Sequence, residues 1–467
     1  MNAQSIKDSI VEWIDKNQKN FADAADKIFD HPELGMQEFF AVGILEELLV
    51  KYGFAVEKGV AGIPTAFVAV YGSGNPVVAF NCEYDALPGL SQQKYADKVP
   101  VIDGAPGHGC GHNLIGTGNI CGAVALKEAM EKFGLSATIK IFGTPAEELC
   151  IGKPFMARAG LFKGIDFFMD WHPSFQNYMV CDTNAYFSTY YHFKGRTAHG
   201  ASPWNGRSAL DSALLMAHAS EMLREHVPPG KEGSENTWNY TFPDVGPEFP
   251  NVVPDRSTSW YIGRFSTSEI MNDFMLRLDK CAEGAAIATG TTVTKELVTA
   301  IHERIPNMAL NKVIYDNWIK LGTLTFTQKE QQFAKEISKN GGFEPTGITE
   351  DIMPNLEYNS GVTDTSEYSW FAPAPLINIS MAPAVGGWHN WMITAYAGGR
   401  IGRKAMLYAG KLMAVSSIDL ILEPDLLAEI RKEYDKRLNG RTYASLLGNL
   451  PPAVDVNKQT MEKYRKL

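Results

Sequence analysis

Seven consecutive residues, Gly107-His108-Gly109-Cys110-Gly111-His112-Asn113, set a thiol and an imidazole two positions apart among glycines. Glycine backbone reaches conformations closed to other residues, so such a loop can approach an ion closely and aim Cys110 and His112 at it. A Gly-rich turn before a helix starting at Gly116 is the plainer account of the same residues. Glu147-Glu148 follows the apolar stretch 137–143. Adjacent side chains at a strand end point to different sides, so one carboxylate could bind a metal while its neighbour faces a water. A solvated acidic loop is the alternative. The apolar strand in front favours a site, because α/β sheets carry their sites at strand carboxyl ends. His172, in Trp171-His172-Pro173, and His389, in Gly386-Gly387-Trp388-His389, each follow an apolar run, 167–170 and 375–381. Standing alone, either reads as a half-buried structural histidine.

Together, Cys110, His112, Glu148, His172 and His389 offer five ligands, more than one catalytic zinc usually takes. Two divalent ions sharing a ligand and a water fit better. The spare carboxylate, Glu147, is then the expected general base, taking the water's proton and handing it to a leaving nitrogen. Asp85, in Glu83-Tyr84-Asp85-Ala86-Leu87-Pro88, could orient a ligating histidine or be a turn carboxylate before Pro88. The chemistry these residues suit is metal-assisted hydrolysis of an amide. A thiol or redox enzyme built on Cys110 is disfavoured, since no Cys-x-x-Cys pair is present.

The elements that must position these groups can be read from pattern. The 467 residues are too many for one ordinary core, so two domains are expected. Helices are expected over 4–30 and 37–52, strands over 65–72 and 76–82, a helix over 116–133 and a strand over 137–143. This alternation implies an α/β domain with helices on both sheet faces. From 186 the pattern changes: a strand over 186–193, then a helix over 208–226 with Leu210, Leu214, Ala217 and Leu223 on one face. Strands over 237–242 and 256–265, a helix over 266–288 and a strand over 291–299 follow. That β-α-β-β-α-β order is the split arrangement of ferredoxin-like domains. It divides the chain into 1–184 plus 303–467, the catalytic part, and an inserted α+β domain at 185–302. A long helix is expected near 391–416.

The net charge of -10 and pI of about 5.6 argue against nucleic-acid or anionic-membrane partners, which need a basic footprint. Six cysteines without regular spacing point to a reducing compartment, the cytoplasm. Ile6, Ile10, Trp13 and Ile14 stand at helical spacing among charges rather than as a signal peptide. No apolar run is expected to reach the length of a membrane span.

The ordered motifs, Glu83 to Pro88, Gly107 to Asn113, Glu147-Glu148, Trp171-His172-Pro173 and Gly387-Trp388-His389, resemble those of the M20 metallopeptidases. The similarity is greatest to the amidohydrolase-like branch of aminoacylases, hippurate hydrolases and auxin-conjugate hydrolases, whose His-Pro-Glu-Leu-Gly stretch is matched at 31–35. It runs over nearly the whole chain. It implies a zinc-aminopeptidase-like catalytic domain with a mixed, mostly parallel sheet, and an inserted dimerisation domain. It implies two divalent metals per subunit, zinc or manganese, on Cys110, His112, Glu148, His172 and His389, with Glu147 as base. It places His199, in Gly195-Arg196-Thr197-Ala198-His199, at a partner subunit's oxyanion, and Asn251 and Arg264 on the substrate's free carboxylate. The implied substrate is an N-acyl amino acid or dipeptide, p-aminobenzoyl-glutamate among them. A homodimer, or a heterodimer with a related subunit, is expected. A non-catalytic partner of a related hydrolase is the competing reading. Two positions depart from the pattern: Glu83 stands where the branch has Asp, and Ser366-Glu367 where a related subgroup has Gly-Asp.

Overall fold

The computed structural model describes residues 2–231, 235–359 and 361–465. At its start, Ile6, Ile10 and Ile14 line one face of helix α1 (Ala3–Asp30) and are buried, with Asn2 accepting from the Gln4 N–H as N-cap. α1 packs on α3 (His112–Phe133), and both pack on α10 (Arg400–Leu422). The expected helix at 116–133 thus begins four residues earlier, at His112. Gly111, at φ 89°, turns the chain into it, a conformation that an L side chain rarely takes. The expected helix at 391–416 is two helices, α9 (Trp391–Ala397) and α10, separated at Gly398-Gly399. α10 also corrects the expectation about membrane spans. It is long and apolar enough to cross one by length and composition, but its apolar stretch is mostly buried against α1 and α3.

Helix α2 (Phe39–Lys51) leads into a five-stranded sheet. Its strands are β1 (Ala55–Lys58), β2 (Phe67–Gly72), β3 (Val77–Cys82), β4 (Thr138–Gly143) and β5 (Phe167–Met169), in the order β1-β2-β4-β3-β5. β3 runs parallel to β4 and β5, while β1–β2 and β2–β4 are antiparallel. The sheet is therefore mixed with two pairings of each kind, not mostly parallel. A hairpin-like entry through β1 and β2 adds antiparallel edges that the α/β pattern does not separate. Helix α4 (Gly152–Arg158) precedes β5. One residue after β5 the chain passes into β6 (Trp171–Ser174) of a second sheet, with β7 (Tyr178–Asp182), β12 (Tyr358–Asn359) and β13 (Leu376–Ser380), in the order β12-β7-β13-β6.

Between 185 and 301 lies a third sheet, β11-β8-β10-β9, built from β8 (Ala185–Lys194), β9 (Thr237–Asp244), β10 (Arg256–Phe265) and β11 (Thr292–Ile301). Its pairings are antiparallel throughout. Helices α5 (Ala209–Glu221) and α6 (Ser268–Thr289) cover one face, and Phe187, Tyr191, Tyr261, Phe265, Phe274 and Met271 form a core of their own there. One expectation holds only in part: α5 buries Ala217 as expected, with Ala209, Ser212, Ala213, Met216 and Ser220, and Leu223 just beyond it packs on the same core, whereas Leu214 is 50% and Leu215 42% exposed. The small residues let the helix lie close on the sheet, and Leu214 and Leu215 are left on the outer face.

After β11 the chain returns through 302–307 to α7 (Met308–Leu321), α8 (Gln328–Asn340), α11 (Pro424–Leu438) and α12 (Lys458–Tyr464). The segments that follow β3, β4 and β13, with the start of α3 and strand β6 itself, carry the chemistry-bearing residues.

Candidate metal centre

Asp85 follows β3, and its Oδ1 accepts from His112 Nδ1 at 2.8 Å. That bond leaves the His112 Nε2 lone pair facing inward, where it is buried and has no hydrogen-bond partner. The same carboxylate takes the Glu148 N–H on Oδ2 at 3.0 Å, so Asp85 fixes two candidate ligands at once. His172 Nδ1 donates to the Pro173 carbonyl at 2.7 Å, which again frees Nε2, 3.3 Å from Cys110 Sγ. His389 Nε2 lies 3.4 Å from Glu148 Oε2. His389 is held at φ 60°, and Asn390 directly after it accepts the N–H groups of Met392 and Ile393 as N-cap of α9. A strained residue persists where its neighbours over-determine it.

The donor atoms of Cys110, His112 and His172 lie within 4.8 Å of one another, as do those of Cys110, Glu148 and His389. Glu148 Oε1 is buried with no hydrogen-bond partner. Two orphaned buried polar atoms and two imidazoles in the metal-binding tautomer are what a divalent cation would satisfy. The donor set fits one. All five expected ligands are thus brought together.

Glu147 and Glu148 do not sit at a strand end. They lie on one turn of 3-10 helix, 147–149, three residues beyond β4 and flanked by Ala146 and Cys150 at φ 56° and 54°. Both carboxylates face His112 Nε2, at 3.7 and 3.8 Å. Strand alternation therefore does not separate them; their other partners do. Glu148 meets His389, whereas Glu147 Oε1 accepts from the Thr363 hydroxyl at 2.8 Å. Burial, with the Glu83 charge next, raises Glu147 to about 7. Burial raises Glu148 to about 8, Glu147 adding to it against the pull of His112. Burial pushes His172 down to about 4, helped by His112, which keeps it a neutral ligand.

The 31–35 motif acts as scaffolding. The Glu33 carboxylate accepts the N–H groups of Phe40 and Ala41 at the start of α2, and its carbonyl takes the Ala86 N–H at 2.7 Å. Gly35 leaves room for Ala146, whose Cβ a side chain there would meet at 2.7 Å. Glu38, fully buried, accepts the Ala146 N–H and the Thr65 hydroxyl. The motif thus braces the Glu83–Pro88 loop, and Glu38, just beyond it, braces the turn that bears Glu147.

Several site residues carried no motif or, within one, no expected role. Lys153 is fully buried at the start of α4 and pairs with Glu83 Oε1 at 2.8 Å and Asp364 Oδ1 at 2.6 Å. Burial alone would raise Glu83, but the Lys153 ammonium and His112 outweigh it and hold Glu83 at about 2. The departure from Asp to Glu at 83 lengthens the side chain that meets this lysine. Trp388 Nε1 donates to Cys110 Sγ at 3.2 Å. Glu367 lies apart from the metal donors. Its carboxylate accepts from His302 and Tyr443 and so fastens the chain returning from the inserted sheet.

His199, Asn251 and Arg264 are not in the donor cluster. His199 is exposed; its Nδ1 accepts the Ala201 N–H, and its Nε2 lies 3.4 Å from Asn251 Nδ2. Arg264 stands on the sheet face opposite α5 and α6, 5.9 Å over the Tyr186 ring.

Residues 79–381 match the model of peptidase family M20/M25/M40. This chain belongs to that family. It is 33% identical to one subunit of the Escherichia coli p-aminobenzoyl-glutamate hydrolase, over 94% of this chain and 97% of the relative. To the mouse Xaa-Arg dipeptidase it is 29% identical over 93% of each chain. Among solved structures, a Bacillus subtilis dinuclear metal-binding peptidase of the M20 family matches with a TM-score of 0.58 at 16% identity, covering 87% of this chain and 98% of that one. An aminobenzoyl-glutamate utilization protein from Klebsiella pneumoniae matches with a TM-score of 0.57 at 16% identity, covering 85% and 97%. This M20 chain is accordingly a metal-dependent hydrolase of C–N bonds with the family's α/β architecture.

Proposed function

We propose that this M20 protein hydrolyses the amide bond of an N-acyl amino acid or short peptide, with p-aminobenzoyl-glutamate as the first substrate to try. The observation that carries the reading is the convergence of five metal-type donors beside a carboxylate, Glu147, that is bound to a partner of its own. Five donors suit two divalent ions, zinc or manganese, on Cys110, His112, Glu148, His172 and His389. When bound, such ions supply Lewis acidity toward the scissile carbonyl and the attacking water.

The chain's own residues do the rest. Asp85 holds His112 in one tautomer and pins the Glu148 backbone. Glu147 removes a proton from the attacking water and delivers it to the leaving nitrogen; a value of about 7 suits both halves of that task. Arg264, with no carboxylate partner among the described residues, receives the substrate's free carboxylate by bidentate hydrogen bonding, with Asn251 assisting. His199, exposed and outside the donor cluster, supplies an oxyanion donor to a neighbouring subunit. Residues 185–302 act as the dimerising domain. Support comes from the exposed Leu214, Leu215 and Met222 and the open edge of β9.

Replacing Glu147 with Gln tests the core of this reading. Turnover should fall by roughly 10²–10⁴ while metal content stays at the wild-type level. Wild-type turnover in Glu147→Gln would end Glu147's candidacy. The Escherichia coli relative is one subunit of a hydrolase, so a non-catalytic partner role is the second reading. Stoichiometric metal uptake with turnover of a substrate by this chain alone excludes it.

A further inference from the structure

Thr363 precedes the 3-10 stretch Asp364–Trp370 and caps it, its Oγ1 accepting the Thr365 N–H at 3.2 Å. That hydroxyl also lies 2.8 Å from Glu147 Oε1 and 3.1 Å from Thr365 Oγ1. Thr365 Oγ1 in turn accepts from Arg304 Nη2 at 2.6 Å. A hydroxyl has one proton to give and two lone pairs. A guanidinium can only donate, and an ionised carboxylate can only accept. Arg304 donates to Thr365, and the single Thr363 proton has two acceptors in reach, Thr365 Oγ1 and the nearer Glu147 Oε1. A carboxylate oxygen is the stronger acceptor of the two, so that proton goes to Glu147.

Arg304 is itself fully buried. Its Nη1 donates to the Ala374 carbonyl at 3.0 Å, and its backbone N–H to the Thr183 carbonyl at 3.2 Å. Thr183 and Arg304 stand where the chain leaves for and returns from the third sheet, two residues before β8 and three after β11. This line of groups therefore runs from the crossing between the two parts of the chain to the carboxylate beside the metal donors. The same short stretch is clamped at further points: Asp364 to Lys153, Tyr368 to Asp170, and Ser369 to the Ile305 N–H. Thr363 is thus delivered to Glu147 by a rigid support rather than by a loose loop.

We infer that Thr363 is a positioning residue for Glu147, its hydroxyl holding one carboxylate oxygen at the end of a line of hydrogen-bonded groups that begins at Arg304. The inference rests on Glu147 being the base of the proposed reaction. With Oε1 tethered, only Oε2 is left toward His112 and the reacting water, so the carboxylate presents one oxygen in one orientation. A misplacement of about 1 Å in such a group costs roughly 10²-fold in rate.

The test compares Thr363→Val, Thr363→Ser and Thr365→Val with wild type, each purified at full length and loaded with zinc or manganese. Thr363→Val keeps the shape and removes the hydroxyl. Its kcat should fall roughly tenfold to a hundredfold with KM within about threefold, at unchanged metal stoichiometry. Thr363→Ser restores the hydroxyl and should regain most of the loss. Thr365→Val should lower kcat in the same sense by less. Wild-type kcat in Thr363→Val, or a Thr363→Ser variant as slow as Thr363→Val, overturns the positioning role. Wild-type kcat in Thr365→Val overturns the part played by the groups behind it. Crystal structures of metal-loaded wild type and Thr363→Val give a readout free of turnover. The Glu147 carboxylate should rotate in the variant, and an unmoved carboxylate overturns the inference. If wild type cleaves no substrate, the functional reading fails while the two structures still decide whether Thr363 holds Glu147.

Discussion

Two groups of chemistry-bearing residues differ in how far one chain completes them. Cys110, His112, Glu148, His172 and His389 are drawn from loops, a helix start and a strand over nearly three hundred residues, yet their donor atoms meet within hydrogen-bonding or near-contact distances. They are tied by Asp85, Trp388 and Asn390, and by Glu38 through the turn that bears Glu148. His199 and Asn251, on the third sheet's part of the chain, are exposed and bond to one another and to the local turn at 200–202. A buried cluster of ionisable groups must be satisfied within its own chain, because unpaired burial is costly. An exposed pair has no such demand and can wait for a substrate or a second copy. Convergence therefore marks the part of a site that a single chain builds, and the exposed pair is left free for the role proposed for it in a neighbouring subunit.

Mixing defects within one dimer puts that contrast under the greatest strain. Glu147→Gln and His199→Ala should each cost roughly 10²–10³ or more in kcat at full metal content. Co-expressed, the two inactive variants should recover activity, because a mixed dimer contains one site with both residues intact. Absence of any recovery, with mixed dimers verified by mass spectrometry, would mean that His199 serves its own chain or none.

A smaller effect is expected at Arg264. Arg264→Ala should raise KM by about tenfold to a hundredfold for substrates with a free carboxylate, and little for their amides. An equal effect on both would remove Arg264 from carboxylate recognition. On the outer face of α5, Leu214→Glu with Leu215→Glu should shift the protein toward monomer in light scattering while leaving the fold intact, since both side chains are exposed. A dimer that persists would place the interface elsewhere.

The smallest effect is a pH dependence of stability. Glu147 and Glu148 have an ordinary value of 4.5 but titrate at about 7 and about 8 in the folded chain without metal. Over that interval the folded state holds more protons than the unfolded one. Their contribution is therefore full at acid pH, falls as pH rises, and is gone above about 8. His172, held down to about 4 by burial, acts in the opposite direction, but only below about 6.5. Between about pH 6.5 and 8 the Tm of metal-free protein should thus drop by on the order of a few °C. Bound metal, which needs these ligands ionised, should cancel the drop. A flat or rising Tm without metal would show that the carboxylates are not buried together as described.

The ligand set is legible in the sequence because each member carries a local signal: glycines around Cys110 and His112, and an apolar run before Glu148, His172 and His389. The β-α-β-β-α-β order is legible for a similar reason, since strand and helix periodicities persist over many residues. Finer features are not. Leu214 fits the apolar stripe of α5 by type and spacing, but the close approach of helix and sheet selects alanine and serine for the buried face instead. Residues 391–416 have a continuous helical pattern, but Gly398 and Gly399 divide it, leaving a short α9 directly after His389 and Asn390. Strand alternation would separate Glu147 from Glu148, but it does not apply on a 3-10 turn.

Side-chain chemistry and motif order are written along the chain. They are enough to specify which residue types can gather at one centre, the kind of reaction they suit and the family they belong to. How the paired carboxylates divide their partners, what Glu367 does, and that Thr363, Lys153 and Arg304 stand behind the site emerge only on folding. Thr363 lies 216 positions from Glu147 and Asp364 lies 211 from Lys153. A lone threonine or lysine has no periodicity and no neighbouring motif to announce it. Its role arises from the proximity that packing of distant elements creates.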